Sequence, residues 1–117
     1  MQAQTENIGP VIDRFNDAFQ RHDPALLVDL IAPDCVLENT TPAPNGSRHV
    51  GGAACLALWQ GIASDREGRF DLEEVVLLQD HALIYWHYRH GASATRGINI
   101  MRVRDGRIVE GRGYVKA

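Results

Sequence analysis

The stretch GINIMRVRDGRIVEGRGY, Gly97 to Tyr114, decides the fold. Apolar and polar residues alternate on both sides of Asp105-Gly106, as they do in a half-buried strand. Asp-Gly tolerates positive φ at both central positions of a tight turn, so the run reads as an antiparallel hairpin. Before it, FDLEEVVLLQ (residues 70–79) and ALIYWHYRH (residues 82–90) alternate in the same way, with a turn at Asp80 or His81. Four strands in succession therefore occupy the second half of the chain.

The first half has a different period. Ile8, Val11, Ile12, Phe15 and Phe19 recur at three- and four-residue spacing, which predicts a helix over 6–22. Asp23-Pro24 restarts the chain with an N-cap and a proline suited to a first helical turn, predicting a second helix over 24–31. CVLENT (35–40) reads as a short strand. TPAPNGSRHVGG is too rich in Pro, Gly and Asn for regular structure, and a third helix over 53–64 carries Cys55, Leu58, Trp59 and Ile62 on one stripe. The expected order is α-α-β-α-β-β-β-β. That is an α+β fold with three helices packed on one face of a curved antiparallel sheet.

The whole chain, 1–117, is expected to be a single domain: 117 residues, 44% hydrophobic and 23% charged, can bury a core without metal or disulfide. A net charge of −3 and the absence of a Lys/Arg run give no reason to expect nucleic-acid or anionic-membrane partners. No apolar stretch is long enough to span a bilayer, and no signal-peptide pattern opens the sequence. A cytoplasmic location follows as the expectation, with Cys35 and Cys55 as reduced core thiols. The histidines lack metal-ligand spacing with cysteines or carboxylates, so no metal and no cofactor are expected.

Strand 82–90 presents Leu83, Tyr85, His87 and Arg89 on one face and Ile84, Trp86, Tyr88 and His90 on the other. Helices cover only one face of such a sheet. Trp86 and Tyr88 are read here as an exposed aromatic patch on the other, hence as a homodimer interface unless C-terminal residues fold back over them.

The segments LIAPDCVLENTTP, HVGGAACLALW, the Trp- and His-rich strand ending in Gly91, and RGINIMRVRDGRIVEGRGYV together resemble the nuclear transport factor 2-like superfamily, and within it the SnoaL-like group. The resemblance covers nearly the whole chain. It implies a cystatin-like α+β cone with a deep pocket, a homodimer, and a range of activities that includes isomerases, cyclases and hydrolases. It does not imply one reaction. Compared with ketosteroid isomerase, the general-base aspartate falls on Asn39, the oxyanion tyrosine on Phe15 and the protonated aspartic acid on Asn99. Compared with limonene epoxide hydrolase, the last strand has Gly111-Arg112-Gly113-Tyr114, keeping the arginine and losing the aspartate. The acid/base aspartate of SnoaL-type cyclases also falls on Asn99. None of the three chemistries has its carboxylate here.

The remaining polar residues define a candidate site. A symmetric link over 90–96 puts His87 opposite Asn99, and a plain two-residue turn at Asp105-Gly106 puts Asn99 opposite Arg112. His87, Asn99 and Arg112 would then form one row with Tyr85 beside it, a register that a single bulge breaks. A bulge in strand 97–103 would instead bring Asn99 and the Gly111 and Gly113 positions to the pocket together. Imidazole titrates near neutral pH, so His87 is the candidate catalytic proton carrier. Phe15, Asn39, Trp59, Tyr85, Asn99 and Arg112 are the candidate ligand-binding residues. Two functions follow: a cofactor-independent isomerase, cyclase or hydrolase for a small, largely apolar compound, or a non-catalytic ligand-binding or assembly module of the same fold.

Overall fold

The structure, a computed structural model, describes residues 7–116. Helix α1 spans Gly9–Gln20, with Pro10 in its first turn. Residue 6, where the helix was expected to begin, lies outside the described residues. The helix buries Ile8, Ile12, Phe15 and Ala18. It stops in a Schellman turn: His22 takes the left-handed conformation at φ 53°, and the Asp23 N–H reaches back to the Ala18 carbonyl at 2.8 Å.

The second helix does not form as expected. Pro24–Leu27 makes one 3₁₀ turn, capped by Asp23, whose carboxylate accepts from the Ala25 N–H at 3.2 Å. Two forces end it early. Pro33 disfavours helical backbone at Ala32, and the Leu30 carbonyl accepts from Ile108 N–H at 2.6 Å, drawing the chain into a sheet. Strand β1 accordingly starts at Ile31 and runs to Asn39. Within the loop-like segment that follows, Ser47–Val50 pairs with β1 as a short strand, β2. Helix α2 covers Gly52–Ser64, and β3 (Gly68–Leu78), β4 (His81–His90), β5 (Ser93–Arg104) and β6 (Arg107–Val115) complete the chain.

The six strands lie in the order β2-β1-β6-β5-β4-β3. All neighbours are antiparallel except β1 and β6, which run parallel. The Asp105-Gly106 turn has positive φ at both residues, 54° and 76°, as the sequence requires. Two irregularities set which residues share a face. In β3 one extra residue, Glu73, sits between the Leu72–Trp86 and Glu74–Tyr85 pairs. In β6 the extra residue is Val109, because Val103 faces Ile108 whereas Arg102 faces Glu110. Such bulges bend and twist a sheet.

Both helices pack on one face, and the core of Leu37, Ile84, Trp86, Met101 and Trp59 lies between them and the strands. Cys35 on β1 and Cys55 on α2 are unpaired thiols buried at that seam. The Cys35 carbonyl accepts from Gly51 N–H at 2.8 Å, and the Cys55 thiol points at it from 3.4 Å. Burial raises both thiols above the ordinary cysteine range, Cys35 well above it.

Candidate functional site

The helices do not fill the covered side of the sheet. A cavity of about 350 Å³ remains between them and the strands. Its floor comes from Trp86 and Ile84 of β4, Asn99 and Met101 of β5, and Gly111 and Gly113 of β6. Phe15, Asn16 and Phe19 of α1 form one wall, and Leu58, Trp59 and Ile62 of α2 another. Asn39, Thr40 and Thr41, where β1 runs out, form part of the rim.

Aromatic contacts hold this shape. Trp59 meets Phe15 edge-on at 5.2 Å, Phe15 meets Phe19 at 4.9 Å, and Phe19 meets Phe70 at 5.7 Å. Phe70 then contacts Trp86 at 5.4 Å and Tyr88 at 4.4 Å. A continuous aromatic band thus runs from α2 through α1 to β3 and β4. Gln20 closes the band from the end of α1, its amide donating to the Phe70 carbonyl at 2.6 Å. The glycines of β6 make the close approach possible. A Cβ on Gly111 would meet Trp59 Cζ2 at 2.8 Å, and one on Gly113 would meet Asn99 Oδ1 at 3.1 Å.

Phe15, Asn39, Trp59 and Asn99 therefore all line one cavity. Arg112 also borders it, at the seam where β6 runs beside Glu38 of β1. Both residues alternate with pocket-facing neighbours, and Arg112 Nε lies 3.5 Å from Glu110 on its own side of the strand.

Tyr85 and His87 are not among the lining residues. The expected row of His87, Asn99 and Arg112 does not form. Gly91-Ala92 closes a tight turn, His90 pairs with Ser93, and the segment read as a link joins β5. Asn99 consequently faces Ile84, and His87 faces Arg96. That three-residue shift reverses the side on which His87 lies. The extra residue at Val109 likewise moves the partner of Asn99 from Arg112 to Gly113. A bulge does bring Asn99 to the pocket with the glycines, but it sits in β6 rather than in strand 97–103. His87 receives Arg89 Nη2 at Nδ1, 3.5 Å away, beside an Asp71 carboxylate bound by Arg69 and Arg89, each at 3.0 Å.

Trp86 and Tyr88 lie on the covered side, in the pocket wall, and not on an open interface. Strand alternation was read correctly, but the assignment of its two faces was inverted, because Leu83, Tyr85 and His87 look no less apolar than Ile84, Trp86 and Tyr88. Asn16 and Phe70 were not singled out for the site. Asn16 is the signal available in the sequence: a polar residue adjoining the apolar stripe of α1, here only 8% exposed.

Apart from Glu38 and Arg112 at the β1–β6 seam, the polar side chains that line the cavity are neutral. The Asn39 amide donates to Thr41 Oγ1 at 3.2 Å, leaving its carbonyl free to accept. Burial, and secondarily the Asp65 carboxylate, raises the Tyr88 phenol above its ordinary range, so it stays protonated and can donate. Such a lining can orient a carbonyl or hydroxyl compound. It offers no imidazole, and the carboxylate it includes, Glu38, sits opposite Arg112 at the β1–β6 seam.

Outside the cavity, Asp65, Glu67 and His90 bring one ligand-type atom each within 4.8 Å of one another. His90 Nε2 and Asp65 Oδ2 are hydrogen-bonded at 3.0 Å. The Glu67 backbone N–H, and then His90, hold the Asp65 carboxyl below the usual range.

Comparison with known proteins puts this geometry in context. Residues 12–111 match the family model described as the SnoaL-like domain. A nuclear transport factor 2-like protein of unknown function from Mesorhizobium loti is 51% identical and superposes with a TM-score of 0.91, covering 100% of this chain and 97% of that one. A proposed polyketide cyclase from Sinorhizobium meliloti shares 24% identity at a TM-score of 0.75, over 96% and 100% of the two chains. A loop-truncation variant of IdmH shares 25% at 0.71, over 94% and 93%. No match was found among curated proteins. Among the described residues, no helix is long and apolar enough to cross a membrane.

Proposed function

The chain belongs to the SnoaL-like domain family, and from that premise we propose that it is a pocket protein holding a small, neutral, largely apolar organic compound without a cofactor. The observation that carries this reading is the 350 Å³ cavity, apolar in most of its lining and furnished with neutral amides, with Glu38 and Arg112 set opposite each other at one seam. Isomerisation, cyclisation or hydration needs a group to carry a proton; His87 does not line the hollow, and Arg112 and Glu38 border it only at the β1–β6 seam, opposite each other. Binding is therefore the better supported function. The likeness to a proposed polyketide cyclase favours the catalytic alternative, in which the Tyr88 phenol would serve as proton donor. The two free buried thiols fit the cytoplasmic location implied by the sequence.

The test is thermal. A neutral bicyclic lactone such as coumarin, at about tenfold its Kd, adds about 1.4 kcal/mol of stability and raises the midpoint by several degrees. Ile62→Trp, which fills the cavity from α2, should abolish the shift. Equal shifts in the two proteins would remove the pocket from the function.

We propose further that the uncovered face of the sheet joins a second copy of the chain. Tyr85 and Tyr114 are exposed there, with Leu83, Ile98 and Ile100 half-buried on the same side. The rim carries both signs, in the pairs Arg96–Glu73, Arg102–Asp80 and Arg112–Glu110. A mixed-charge rim around an apolar centre can complement itself across a twofold axis.

A further inference from the structure

We propose that Trp86 reads the pocket's occupant: its indole N–H donates a hydrogen bond to a carbonyl-type acceptor on a neutral ligand. The inference rests on the pocket reading above and narrows it to one chemical class. Trp86 is 6% exposed, and its Nε1 has no acceptor among the described residues. A buried donor left without a partner is rare in a native fold, and a ligand is one of the few things that can supply the missing acceptor.

The ring is held too firmly to find a partner within the protein. Its six-membered edge lies against Gly97, where any Cβ would overlap it, and Phe70 meets its plane at 89°. Across β3, β4 and β5 the register fixes Trp86 between Leu72 and Gly97. The amides that share the cavity include Asn39 at the rim, Asn99, two residues beyond Gly97 on β5, and Asn16, buried on α1. Asn99 can satisfy a second polar atom of the same ligand, since an amide both donates and accepts. Arg112, whose Nε is also buried without a hydrogen-bond partner, borders the cavity beside Glu38 at the β1–β6 seam, where the two opposite charges offset each other. An ion of either sign would meet both of these charges, so a net-neutral ligand is favoured. A hydrocarbon would leave the indole unpaired. Ketones, lactones and amides fit, with the acceptor oxygen at Trp86 and the carbon skeleton along the aromatic band.

A matched pair of probes isolates the hydrogen bond: 1-tetralone, a bicyclic ketone, and tetralin, the same skeleton without the oxygen. The two indole N–H signals, from Trp59 and Trp86, are followed in ¹H–¹⁵N spectra and assigned with Trp86→Phe. The ketone should move the Trp86 signal downfield and bind about tenfold more tightly than tetralin, the range of one neutral hydrogen bond. Trp86→Phe should bring the ketone down to the affinity of tetralin while leaving tetralin within about twofold. If ketone and hydrocarbon bind equally well, or if the ketone binds with the Trp86 signal unmoved, the indole is not the reader although the pocket stands. If neither probe binds the wild type, the pocket reading itself falls and this inference with it. The spectra of the unsubstituted chain decide the matter even if Trp86→Phe fails to fold.

Discussion

The two faces of the sheet are built from the same strands and have opposite chemistry. Beneath the helices lie Ile84, Trp86, Asn99, Met101 and the glycines of β6, around a largely apolar hollow. On the uncovered side, residues one position removed along those strands form a lattice of ion pairs, from Arg69, Asp71 and Arg89 to Arg112 and Glu110. Groups with the most obvious reactivity in the sequence, His87 among them, sit in that lattice, where they bind one another beside solvent. The contrast shows that a candidate residue's chemistry means little until its parity in the strand is known, because a one-residue slip exchanges the two faces completely.

The strongest way to break the contrast is to crowd the covered side. At Gly97 a Cβ would meet the Tyr114 carbonyl at 2.5 Å and collide with the Trp86 ring, and backbone cannot yield as a side chain does. Gly97→Val should destabilise by about 3 kcal/mol and lower the thermal midpoint by more than about 10 °C. A midpoint within a degree or two of wild type would show that Trp86 does not pack there.

Next in size comes the uncovered side. Tyr85→Glu should convert the proposed dimer to monomer in sedimentation, whereas Asn99→Leu, a change in the pocket, should leave the mass unchanged. An unaltered mass for Tyr85→Glu would place the contact elsewhere.

The two faces should also respond at opposite ends of the pH scale. Asp71 is held below the usual carboxylate range first by Arg89 and then by Arg69. Its stabilising effect is present above its unfolded pKa, about 3.9, and is lost as pH falls through the lower folded value. Tyr88 is raised by burial and then by Asp65. Its contribution is present below the unfolded phenol pKa, about 10, and disappears as pH rises through the folded value. Urea midpoints should hold between about pH 5 and pH 9 and fall beyond both limits. Asp71→Asn should soften only the acid limb and Tyr88→Phe only the alkaline one. The smallest effect belongs to His87→Ala, which should leave ligand affinity within about twofold of wild type. A larger loss would return His87 to the site.

The sequence made much of this architecture legible. Asp105-Gly106 specifies its turn chemically, and the stripes of α1 and α2 locate their buried sides, so the hairpin and the two long helices emerge directly. The pairing register was less accessible. HGASAT has the composition of a loop, yet its residues from Ser93 onward pair with β4, and nothing local announces it. Val109 is a β-former of ordinary kind, and its extra place in β6 follows from how β1 and β5 must both fit that strand. Phe15, Trp59, Asn39 and Asn99 were reached through helix periodicity and family likeness, neither of which depends on strand count. Tyr85 and His87 were reached by counting along strands, and one miscounted turn sent them to the wrong side. Ser47–Val50 was missed for a related reason: a four-residue strand owes its existence to its neighbour β1, not to its own composition.

The seam between Cys35 and Cys55 has a practical consequence. Both sulfurs are shut off from solvent and disfavoured as thiolates, so a disulfide-exchange reagent such as dithionitrobenzoate can modify them only when α2 lifts from β1. Labelling kinetics would then serve as a clock for that opening, and any compound that fastens the helix to the sheet would slow the clock without touching a cysteine.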